Sequence, residues 1–181
     1  MRRLLPAVLL ALAAAAPRPT PGAAVRSLLS FTPPAGWVSG EYANAGGSDA
    51  VVAFEDGSDR IALHLYGTPK SFYPTPAVFL KGPAATTMGR PAEKAGTAVV
   101  AGAKVDLWKR GVPLPDGDPH IPSASPRLGT GVFCVLPPAP DGRFLVLSYE
   151  RLSPVPDPSG KGEKAWKSFL KSARRPAAQK P

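Results

Sequence analysis

Few residues in this chain combine type and spacing into a reactive set. The densest group is Asp116-Gly-Asp118-Pro-His120, two carboxylates and an imidazole within five residues. Hard divalent cations take carboxylate oxygens and imidazole suits zinc, so Asp116, Asp118 and His120 are the candidate metal ligands. They carry the alternative reading of the chain, a metal-binding protein or a metal-dependent enzyme. Their spacing matches no familiar ligand motif, and a polar turn among prolines explains the same residues. Glu55-Asp-Gly-Ser-Asp59 resembles a fragment of a calcium loop, but the Asp56-Gly57 pair is hairpin-turn chemistry and accounts for it. His64 alternates within an apolar strand pattern. The lone Cys134 lies between Phe133 and Val135 and reads as a small buried hydrophobe. No Gly-x-Ser-x-Gly elbow is present, and Gly46-Gly47 and Gly129-Thr-Gly131 lack the lysine and helix of a phosphate loop. The sequence assigns no catalytic residue, requires no cofactor, and leans away from an enzyme.

Charge narrows the partners. The chain of 181 residues carries a formal net charge of +9. Three arginines fall in the first 24 residues, and seven basic residues against one Glu163 fall after Gly160. Residues 25–160 hold twelve basic and twelve acidic groups, so the body is neutral. A basic groove for nucleic acid spread across the domain does not fit that distribution. The positive charge is concentrated on the C-terminal segment, where Lys164, Lys167, Lys171 and Arg174 are candidates for attraction to an anionic surface.

The ends set the domain limits. Met1-Arg2-Arg3 precedes an apolar run of thirteen residues, Leu4 to Ala16. That run has the length of a signal-peptide core and is short of the roughly 20 residues that span a bilayer. Gly22-Ala23-Ala24 supplies small residues for cleavage, so residues 1–24 are expected to be a signal peptide. Residues 25–175 are then a single domain and 176–181 a disordered tail. The mature chain has no expected transmembrane segment and is expected in the periplasm or outside the cell. A single Cys excludes an internal disulfide.

Periodicity supplies the elements that would position any site. Ser27 to Phe31 reads as a short strand, and a second segment runs from Trp37 to about Ala43. Ala50 to Tyr66 is a hairpin about Asp56-Gly57. Thr75-Pro76 caps a short helix that Gly82-Pro83 ends. Ala84 to Gly96 has little pattern, Thr97 to Arg110 is a second hairpin turning at Gly102-Ala103, and Gly111 to Leu128 is a long proline-rich loop. Gly131–Leu136 and Phe144–Glu150 are apolar on both faces, which places them in the middle of a sheet covered on both sides. Lys161 to about Ala173 is an amphipathic helix whose Trp166, Phe169 and Leu170 share one face. The sum is an α+β domain: about eight antiparallel strands in hairpins, one short helix and one C-terminal helix.

Three stretches carry a family resemblance. Phe31-Thr-Pro-Pro-Ala-Gly-Trp37 is similar to the opening of PsbP-like domains, a family of extrinsic photosystem subunits and exported bacterial proteins. Phe144-Leu-Val-Leu-Ser-Tyr149 and Trp166-Lys-Ser-Phe-Leu170 resemble its closing strand and helix. The resemblance implies an α/β/α sandwich about an antiparallel sheet and implies no catalytic residues. The Gly111–Leu128 loop departs from the family pattern. The leading expectation is an exported, non-catalytic domain that binds a protein or cell-envelope partner. Ligand and oligomeric state are open at this point.

Overall fold

The computed structural model describes residues 19–44, 47–114 and 127–176. One antiparallel sheet of seven strands organises them, in the order β1-β2-β3-β9-β8-β7-β6. The strands are β1 (Val38–Ala43), β2 (Ala50–Asp56), β3 (Asp59–Tyr66), β6 (Glu93–Val100), β7 (Ala103–Pro113), β8 (Leu128–Val135) and β9 (Phe144–Arg151). Two short strands, β4 (Thr86–Thr87) and β5 (Arg90–Pro91), form a separate hairpin. The central pair expected from apolarity on both faces is β8 and β9, and β9 is the middle strand of the sheet.

Turn chemistry fixes the hairpins. Asp56 pairs with Asp59 around a two-residue turn in which Gly57 has φ +59°. The second hairpin turns at Ala101-Gly102, one residue earlier than expected, with φ of 51° and 79°. Ala103 is the first residue of β7 and Val100 its partner, so the strand pair begins immediately on either side. The stretch from Ala84 to Gly96, expected to be a loop with little pattern, instead holds the end of a 3-10 turn at Pro83–Ala85, the β4–β5 hairpin and the start of β6.

The first face of the sheet carries Val52, Phe54, Ile61, Leu63, Leu145, Leu147, Cys134 and Val105. It is covered by α1 (Pro21–Arg26) and α3 (Lys161–Ser172). Trp166, Phe169 and Leu170 of α3 are buried against it, at roughly 1.5–3 kcal/mol each before ordering entropy. Trp166 stacks between Tyr149 and Phe169. The second face carries Phe133, Phe144 and Val146 under Tyr73 and Phe79, the latter from α2 (Pro76–Lys81). Thr75 caps α2 through Val78 N–H, with Pro76 at its first position, as the sequence predicts.

The strand expected over Ser27–Phe31 is not formed. Residues 21–26 are helical because Thr20-Pro21 repeats the cap chemistry of Thr75-Pro76: the Thr20 hydroxyl accepts from Ala23 N–H at 3.2 Å. Val25 and Leu29 are fully buried, one helical turn apart. Of the expected strand only Ser30 pairs, in an isolated bridge to Arg174 with both N–H···O distances 2.8 Å.

A candidate ligand groove

A helix of 12 residues is about 18 Å long, whereas seven strands span about 29 Å between the outer pair. One such helix cannot cover the whole face. The start of α3 is pinned over β3 and β9: Lys161 Nζ donates to Asp56 Oδ2 at 2.5 Å, and Gly162 lies against Asp59 and Tyr149. From there α3 crosses toward β6, and α1 lies over β2. The lower part of β6, β7 and β8 is left without a helix.

The result is a groove of about 670 Å³, within the size range of ligand pockets. Leu107, Val132 and Ala98 line it from the strands, and Trp166 and Leu170 from α3. The segment after β9, with Pro154, Val155 and Pro156, closes one end. Apolar groups are left open around it: Leu128 is 41 % exposed and Val155 64 %. An apolar surface of this kind, edged by charge, is characteristic of a site that binds something.

The charge at the edge is four basic groups, Lys109, Arg151, Lys167 and Lys171, against Asp157 and Glu163. Arg151 is neutralised: its Nη1 lies 3.2 Å from both oxygens of the buried Asp59, which also accepts from the Tyr149 hydroxyl at 2.8 Å. Burial, and then that hydrogen bond, push the Tyr149 phenol above its usual range, so it stays a donor. Lys167 lies 4.0 Å from Glu163. Lys109 and Lys171 have no acidic partner among the described residues.

The candidates from sequence divide accordingly. Lys167 and Lys171 line the groove. Lys164 donates to Ser159 C=O at 3.0 Å, and Arg174 donates to the carbonyls of Lys171 and Ala173, so these two serve the ends of α3. Asp116, Asp118 and His120 lie outside the described residues. Among the described residues no group of three or more His, Cys, Asp or Glu side chains converges. Cys134 is fully buried, and burial pushes its thiol up to about 12, so it packs as a hydrophobe. Lys109 was legible only as an alternating strand residue, because the groove depends on where α3 crosses the sheet.

No family model matches the chain, and no curated protein or solved structure matches it either.

Proposed function

We propose that this is an exported, non-catalytic binding domain whose groove holds an amphipathic anion of the cell envelope, with an acyl-type apolar body and an anionic end. The observation that carries this reading is the apolar groove edged by Lys109 and Lys171. The strand floor and Trp166 supply contact area for the apolar body, and the two ammonium groups suit the anionic end. The α/β/α outline that the resemblance to PsbP-like domains implies belongs to the same proposal.

A fluorescent fatty acid titrated into delipidated protein tests it. Saturable binding is expected, displaced by an unlabelled acidic single-chain lipid and not by its uncharged analogue. Lys109→Glu with Lys171→Glu is expected to weaken binding about tenfold or more, with the effect largest at low salt. Val132→Asp should abolish it by placing charge on the floor. Equal affinity for acidic and uncharged lipids, or no saturable binding, would sink the reading.

Export is part of the proposal, and α1 bears on where such a leader would end. The expected cut before Val25 falls inside this helix. It would remove the Thr20 cap and the Gly22 N–H that donates to Glu41 Oε2 at 2.9 Å. We therefore place the cleavage upstream of Thr20. Mass spectrometry of the exported protein is expected to give an N-terminus at or before that residue, and a mature chain starting at Val25 would overturn this placement.

A further inference from the structure

The opposite face of the sheet carries a second feature, separated from the groove by the strands themselves. Glu55, Arg60, Glu150, Gly131 and Arg110 stand in register across β2, β3, β9, β8 and β7. Gly131 has no side chain, so Arg110 reaches over β8 and its Nη2 lies 2.8 Å from Glu150 Oε1. A Cβ on Gly131 would come within 2.8 Å of Val112 Cγ2 and 3.5 Å of Arg110 Cγ. Arg60 approaches Glu150 from the other side, with Nη1 at 4.0 Å. One carboxylate therefore sits between two guanidinium groups.

Beside them is a cavity of about 100 Å³, walled by Phe79, Phe133 and Val146. Ser148 lines it and is only 5 % exposed, yet among the described residues its hydroxyl has no hydrogen-bond partner; Arg60 Nε makes no hydrogen bond there either, its nearest acidic atom being Glu55 Oε1 at 3.4 Å. Folded proteins leave few buried donors unpaired, and each such group calls for an explanation. His64 also faces the cavity. Burial, then the charges of Arg60 and Arg110, lower its pKa to about 4, so at neutral pH it adds no charge. Arg60 and Arg110 against Glu150 leave one positive charge unmatched at the cavity. Glu55, the other carboxylate in the row, lies 3.4 Å from Arg60 Nε, but its side chain is 55 % exposed, so water and salt screen that pair and it offsets the charge at the cavity only in part.

We infer that this cavity binds the carboxylate of a small monocarboxylic acid, held by Arg60, Arg110 and the Ser148 hydroxyl. A planar carboxylate suits guanidinium donors, and its single charge matches the surplus. A dianion would leave one negative charge uncompensated next to Glu150. The volume is far below the several hundred cubic ångströms of a nucleotide or sugar pocket, and the two arginines repel a cation.

The test is a titration of the full chain with acetate and propionate at fixed pH and ionic strength, read through the imidazole NMR signals. The chain has two histidines, so His64→Gln assigns the signal. A saturable shift of His64 is expected, with a raised titration midpoint, because the bound carboxylate favours the imidazolium. Chloride and phosphate should not reproduce it. Ser148→Ala removes an unpaired hydroxyl, so it should fold at least as stably as the parent. It should bind acetate about tenfold more weakly, the loss of one hydrogen bond to a charged group. Arg60→Gln should lose binding altogether. The inference is overturned by equal responses to acetate, phosphate and chloride, by undiminished binding in Ser148→Ala, or by no response up to about 100 mM acetate, which would be too weak for a built site.

Discussion

Replacing Gly162 by alanine is expected to destabilise the protein by about 2–3 kcal/mol, even though alanine is the better helix former by about 1 kcal/mol. The reason is the seat of α3. A Cβ at residue 162 would lie 2.5 Å from Asp59 Cγ, 2.5 Å from Tyr149 Oη and 2.7 Å from Asp59 Oδ1. None of these atoms is the free end of a flexible chain. Asp59 is buried and held by Tyr149 and Arg151. Moving its carboxylate would break a buried ion pair, so the start of the helix must move instead and loosen the packing of Trp166. Thermal denaturation checks this: a drop of about 5–10 °C in Tm is expected for a domain of this size. Ser168→Ala, exposed on the same helix, should change stability by less than about 0.5 kcal/mol. A Gly162→Ala variant as stable as the parent would show that α3 does not sit where the geometry places it.

Acidification supplies the second large effect. His64 has a pKa of about 4 in the fold against an ordinary value of 6.5. The groups around it are Arg60 and Tyr66 on its own strand, Arg110 on β7 and Glu150 on β9. The unfolded chain takes up the proton at the ordinary pKa, and the folded protein resists it. This contribution to stability is therefore complete above about pH 6.5 and is lost progressively as pH falls toward 4. The shift corresponds to roughly 3 kcal/mol below the lower value. Urea unfolding at neutral pH and near pH 4, on the parent and on His64→Gln, measures it. The difference between the two proteins isolates His64 from carboxylates that titrate in the same range. The parent is expected to lose more stability than the variant over that interval. Parallel losses in both would refute the desolvated, neutral state of His64.

Much of this fold could be read from the chain because its signals are local. Asp56-Gly57 dictates the β2–β3 turn, Thr75-Pro76 starts α2, and the spacing of Trp166, Phe169 and Leu170 gives α3 its buried face. Phe144 and Val146 on one side of β9, and Leu145 and Leu147 on the other, are all buried, which is why apolarity on both faces located the sheet centre. The first helix was equally local. Thr20-Pro21 and the buried pair Val25 and Leu29 signal it, but the expectation of a leader over residues 1–24 assigns its cap to a segment that is removed. The two sites depend on non-local registry. No spacing in sequence reveals that Arg60 faces Glu150, that Gly131 leaves room for Arg110, or that α3 leaves Leu107 and Lys109 beside an open groove.

The order of the strands also governs when the protein can become itself. β9 is the last strand among the described residues and the seam of the seven-stranded sheet, with β3 on one flank and β8 on the other. Until residues 144–151 arrive, β1–β3 and β6–β8 are two ribbons without a common seam. Association of distant segments is slow because ordering precedes the reward of contact. A nascent chain is thus held back from its final shape until β9 is available to join the two ribbons.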